Sequence, residues 1–176
     1  MIEPDSKDWT WVLQRPCLQC GFDASTAPAD SVAELVRTNA ARWRALHVGG
    51  RIRPGRSDPA TWSSLEYAAH VRDVYHRYLQ RLRLMLEQDD PLYENWDQDA
   101  TAVEDRYDEQ DPAIVIAGLS DAAEDIALVL DGLTGEDWDR PGRRSDGASF
   151  TVASISRYMI HDPVHHLWDV DRSGST

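Results

Sequence analysis

Three of the six histidines fall in one short segment, HDPVHHLWDV, as His161, His165 and His166. Neutral imidazole is the commonest protein ligand for zinc and related metals. His161 and His165 are four apart, so on a helix they project from one face. Two such ligands need a third from another element. His70, in SLEYAAHVRDVYH at the edge of an apolar stripe, is the best candidate. His70, His161 and His165 would then hold a divalent cation and leave a coordination place open for water or substrate, as catalytic sites do. Zinc is the first expectation, with nickel or iron next, because imidazoles accept all of these.

The other three histidines read differently. His166 is turned about 100° from the pair, towards the surface or a supporting role. His76 sits among Arg72, Arg77 and Gln80 and faces solvent, and His47 lies at a helix end before VGG, where a cation suits the dipole. Carboxylates that could orient bound imidazoles stand one turn either side of His70 (Glu66, Asp73) and beside the C-terminal pair (Asp162, Asp169). Pro163 lies between His161 and His165. A proline there removes a hydrogen bond and clashes with the carbonyl of Met159, which predicts a kink.

Two further stretches carry candidate chemistry. Cys17 and Cys20, in CLQCG, look like half of a zinc knuckle. Two reduced packed thiols, a reversible disulfide, and a second metal site or a cysteine reaching the bundle metal are the three readings of the pair. The acidic run NWDQDATAVEDRYDEQD reads either as a solvated linker or as a source of a catalytic carboxylate, with Asp97 beside Trp96 the first choice. Trp168 would pack in the core or wall a pocket.

These residues need elements to hold them. Apolar residues recur at helical spacing over 29–46, 63–87, 112–131 and 151–170. Asp30 or Ser31 would cap the first helix, Ser63 with Glu66 forms a capping box for the second, and Asp111-Pro112 opens the third. No strand and no internal repeat stands out. The expected fold is all-α: a four-helix bundle over 29–176 with a non-helical N-terminal arm, 1–28, whose Trp9 and Trp11 pack on it.

Composition narrows the function. A formal charge of -13 repels phosphate backbones and excludes nucleic acid as the natural partner. RIRPGR at 51–56 and RPGRR at 140–144 are the only basic runs and read as solvated loops. No apolar run would span a membrane. The acidic start, MIEPDSKDWTW, has no signal-peptide pattern and points to the cytoplasm. The expected partner is a small-molecule substrate, and an exposed helix face could support a homodimer.

WSSLEYAAHVRDV on one helix and HDPVHH on the last resemble the DinB-like (DinB/YfiT) superfamily of small four-helix bundles, over roughly residues 29–170. The resemblance implies a divalent metal, often zinc or nickel, held by His70, His161 and His165 at one end of the bundle. It also implies a low-molecular-weight thiol as cosubstrate. Characterised relatives include mycothiol- and bacillithiol-dependent S-transferases and the mycothiol-dependent maleylpyruvate isomerase. The chain departs from the family pattern at Pro163, and in HHLWDV where arginine, glycine and glutamine more often follow the pair. A thiol-dependent S-transferase or isomerase is therefore the leading expectation. A metal-dependent hydrolase with activated water, and a non-enzymatic metal- or ligand-binding bundle, are the alternatives.

Overall fold

The structure is a computed structural model that describes residues 8–173; Met1–Lys7 of the expected arm and Gly174–Thr176 of the expected bundle lie outside the described residues. Four long helices dominate: α1 (Val32–Val48), α2 (Ser64–Glu87), α4 (Pro112–Asp131) and α5 (Val152–Ser173), with a short α3 (Gln98–Glu104) between α2 and α4. The four-helix, all-α expectation holds. α2 starts at the expected capping box, with Ser63 Oγ accepting from the Glu66 amide and Glu66 accepting from the Ser63 amide. Asp111 caps α4 by accepting from the amides of Ala113 and Ile114. α1 differs. Neither Asp30 nor Ser31 caps it; a 3-10 turn over Ala29–Ser31 leads in, and Ser31 Oγ donates to the Pro28 carbonyl instead.

α4 packs on both α1 and α2, and α5 on both α1 and α2, so consecutive helices α1 and α2 lie diagonally across the bundle, as do α4 and α5. The connections therefore have to cross the bundle ends, which explains their length. Trp43, Leu65, Leu82, Leu119, Ile126, Ile155 and Ile160 fill the centre and are all essentially inaccessible. One polar network crosses this core. Tyr75 Oη donates to Asn39 Oδ1 (2.9 Å), and Asn39 Nδ2 donates to the Pro163 carbonyl (2.8 Å). α5 runs unbroken past Pro163, and Asn39 ties the Pro163 carbonyl to α1, although the acceptor the proline leaves without its helical donor is the Met159 carbonyl.

Small strands also form: β1 (Leu92–Tyr93), β2 (Pro141–Arg144) and β3 (Ser149–Thr151), with β1 parallel to β2 and β2 antiparallel to β3. They escape sequence reading because two to four residues carry no detectable alternation. β2 corrects the reading of 140–144 as solvated loop, since Gly142 and Arg144 point inward. A Cβ on Gly142 would stand 2.7 Å from Met85 Cγ, so only glycine lets β2 approach α2 this closely. The acidic run is not a free linker either. It supplies β1 and α3, and it buries Tyr107, whose hydroxyl donates to Asp73 Oδ2 at 2.5 Å. Ahead of α1, the arm has a 3-10 turn at Thr10–Leu13 and sends Val12, Cys17 and Ala24 into the interior.

Candidate metal centres

α5 presents its chemistry on two adjacent faces, because HDPVHH contains two i,i+4 pairs rather than one. His161 and His165 form the first pair, and Asp162 and His166 the second. The structure sorts the candidate ligands accordingly. His70, Asp162 and His166 make one group, and Cys17, Cys20, His161 and His165 make another, with the potential ligand atoms of each within 4.8 Å of one another. The pair His161/His165 thus stays together as expected, with the two cysteines as its company, while His70 of α2 meets the neighbouring face.

In the first group, Asp162 Oδ1 lies 3.2 Å from His70 Nε2 and 3.3 Å from His166 Nε2. Donors bound to one zinc-type ion at 2.0–2.2 Å stand roughly 3.4 Å apart at tetrahedral angles, so the set has the spacing of a metal triad. Without metal, the same spacing lets both imidazoles hydrogen-bond to the carboxylate. Burial opposes ionisation of Asp162, but the charges of His70 and His166 outweigh it and hold the carboxyl well below the usual range. His166 Nδ1 is anchored on Asp169 Oδ2 at 3.1 Å, the outer carboxylate that fixes a ligating imidazole. Aromatic rings wall the group: Trp96 stacks on His70 (centroids 5.3 Å), Trp62 lies against His70 (5.1 Å) and Tyr67 against His166 (4.7 Å).

In the second group, Cys17 Sγ lies 3.6 Å from His165 Nδ1. His165 Nε2 faces Asp169 Oδ2 at 3.8 Å, so one carboxylate touches both groups. His161 is buried and its Nε2 has no hydrogen-bond partner. Burial pushes His161 down to about 4, aided by repulsion from His165, and burial also lowers His165, which leaves both imidazoles neutral near pH 7. The Cys20 thiol is pushed up to about 11, chiefly by burial, with Cys17 contributing.

A cavity of about 950 Å³ opens beside α5, and His161, Asp162, His165 and His166 all reach it. Its walls include Trp9, Trp96, Tyr78, Tyr158, Arg81 and Arg144. Arg144 is paired with Asp146. Arg81 is buried and held by the Glu94 carbonyl (3.0 Å) and the rings of Tyr78 and Tyr93; its Nε has no partner and no carboxylate among the described residues neutralises it. Asp97 lines the cavity but its Oδ1 caps α3 by accepting from the Ala100 amide (2.9 Å). Glu66 and Asp73, expected near His70, are committed elsewhere, to Arg56 and Ser63 and to Arg72 and Tyr107. His76 is exposed, and Trp168 packs on His165 (5.5 Å) under Arg172.

Asp162 escaped sequence reading as a ligand because only imidazoles were counted, and His166 because the His161/His165 pair was placed on the inward face. The signal was present in the Asp162/His166 spacing. Arg81 gave no signal, since its loss of a partner is decided by β1 and the cavity wall.

A family description for the DinB superfamily matches residues 22–170. Among solved structures, YfiT from Bacillus subtilis matches with a TM-score of 0.71 at 18% identity, covering 83% of this chain and 87% of that one. It is described as a probable metal-dependent hydrolase with an unusual four-helix bundle topology. At that identity the likeness establishes the fold. No curated protein matches the chain.

Proposed function

The chain belongs to the DinB superfamily, and on that premise we propose that it is a metal-dependent enzyme that joins a small thiol to an anionic small molecule, in S-transfer or a thiol-assisted isomerisation. The observation that carries this reading is the His70, Asp162 and His166 triad, which offers three ligands at metal spacing and meets the cavity through Asp162 and His166. A divalent ion there would supply Lewis acidity, lowering the pKa of a thiol or water that occupies the open place.

The chain's own residues do the rest. Asp169 holds His166 in orientation. Trp62, Trp96 and Tyr67 keep bulk water from the triad. Arg81, uncompensated in the cavity wall, attracts a carboxylate or similar anion on the substrate. The cavity lies at the upper end of the range for small-molecule sites and accommodates a thiol beside a second substrate.

The thiol reading is favoured over water by the state of the carboxylates. A hydrolase of this type gains from a carboxylate base beside its metal-bound water. Of the carboxylates lining the cavity, Asp97 caps α3, Asp8 accepts from the Thr10 amide, Asp146 is tied to Arg144 and Asp162 belongs to the triad, while Asp99 also has a partner. A free thiol titrates much nearer to neutrality than free water and depends less on such a base. The hydrolase reading draws on the description of YfiT and on Asp97 being released from α3.

The test is a product assay with zinc- or nickel-loaded protein, a cysteine-derived thiol and a carboxylated aryl halide. The expected result is a thioether product whose rate falls more than about 100-fold in His166→Ala, beyond the 10–100-fold typical of losing an outer partner. Product formed from water alone, with no thiol consumed, would establish hydrolysis instead.

A further inference from the structure

We propose that Cys17, Cys20, His161 and His165 form a second, closed metal site that takes one tetrahedral zinc-type ion and fastens the N-terminal arm to α5. This does not rest on the function proposed above and stands or falls separately from it.

The local chain is shaped for the purpose. The Gly21 amide donates to the Cys17 carbonyl (2.9 Å), and the Cys17 amide donates to the Phe22 carbonyl (2.9 Å). Gly21 sits at φ +76, in the left-handed region that glycine adopts without strain. This tight turn sets both thiols against α5. There the i,i+4 pair His161 and His165 offers two imidazoles from one helix face. Two cysteines separated by two residues on a turn and two histidines on a helix are the ligand set of a structural zinc site.

The spacing agrees. With Zn–S near 2.3 Å and Zn–N near 2.05 Å, sulfur and nitrogen on one tetrahedral ion stand about 3.6 Å apart. Cys17 Sγ and His165 Nδ1 are 3.6 Å apart. The other nitrogen of His165 is turned to the Asp169 side, 3.8 Å from Oδ2, so Nδ1 is the one directed at Cys17. His161 is 4% exposed, yet its Nε2 has no partner, a cost that a metal-free core has no reason to carry. Neither cysteine is in a disulfide. Trp9 covers both imidazoles, with centroids 5.6 Å from each, so the four ligands are roofed over by the segment they anchor. Thiolate with imidazole selects zinc over magnesium or calcium. With four protein ligands there is no open place, so the role is structural and distinct from the three-ligand triad one residue along α5.

The test uses the full chain purified without chelator or affinity metal. Titrating its thiols with an organomercurial in the presence of a zinc-sensitive dye should release one zinc per chain as Cys17 and Cys20 react. Cobalt-loaded protein should show a thiolate-to-cobalt charge-transfer band with the intense visible bands of tetrahedral cobalt. That band should vanish in Cys17→Ser and persist in His70→Ala and His166→Ala. Thiols that react with no zinc release, a cobalt spectrum without thiolate character, or a Cys17–Cys20 disulfide in the native protein would each overturn the proposal. The mercurial titration needs no variant, so a Cys17→Ser chain that fails to fold does not blunt it.

Discussion

Single residues divide the work at this site by the atoms they leave uncommitted. Arg81 carries a charge that no carboxylate among the described residues answers. Arg81→Gln should raise KM for a carboxylated substrate about 10- to 100-fold, the scale of one charge-assisted hydrogen bond, with kcat less affected. A neutral analogue should show no such change, and steady-state kinetics on the pair checks it. Glu66 makes a separate prediction about acid. Burial opposes its charge, but Arg56 and the Ser63 amide outweigh burial and hold its carboxyl below 4.5. A depressed folded value means that its contribution is complete above the unfolded pKa and is lost as pH falls through the folded one. Glu66→Gln should therefore cost about 1–2 kcal/mol at pH 7, and the gap from the parent should narrow steadily as a denaturation series is taken to lower pH. The histidines were legible in the sequence as candidate ligands, but the groups the fold places them in were not. A one-residue step along α5 separates His161/His165 from Asp162/His166. Which pair faces α2 depends on how α5 is rotated in the bundle, and no local spacing records that rotation.

The elements hold these groups through a few specific contacts. Asn39 joins α1, α2 and α5 through Tyr75 and the Pro163 carbonyl. Asn39→Ala leaves a buried tyrosine hydroxyl unpaired and should destabilise by about 1–3 kcal/mol, read by urea denaturation. Gly142→Ala drives a methyl into Met85 and should cost about 1–3 kcal/mol. Combined with Met85→Ala the two losses should be less than additive, since the second change removes the clash. Helix positions were readable because α2, α4 and α5 have long apolar stripes and, at Ser63 and Asp111, chemical start signals. The strands were not, because β2 is PGRR, and its inward-facing Gly142 and Arg144 carry no apolar pattern.

At the scale of the whole molecule, the diagonal placement of α1 and α2 brings His70 across from α5, and the arm closes the same end from outside. Asp169 then lies between the two groups of candidate ligands, whose α5 members share one wall of the cavity. No helix among the described residues is long and apolar enough to cross a membrane. Ions that bind only the folded chain add stability by mass action, about 2.7 kcal/mol at a hundredfold excess over Kd. For a chain of this length each kcal/mol moves Tm by about 2–4 °C. Chelation should thus lower Tm by at least about 5 °C, and scanning calorimetry before and after metal removal would show it.

The most direct measurement is the metal-to-chain ratio of protein purified without chelator or affinity metal, for the parent, His166→Ala and Cys17→Ser. Two ions per parent chain are expected, with one lost in each variant. A folded parent that carries no metal and takes none up from zinc or nickel would contradict both centres.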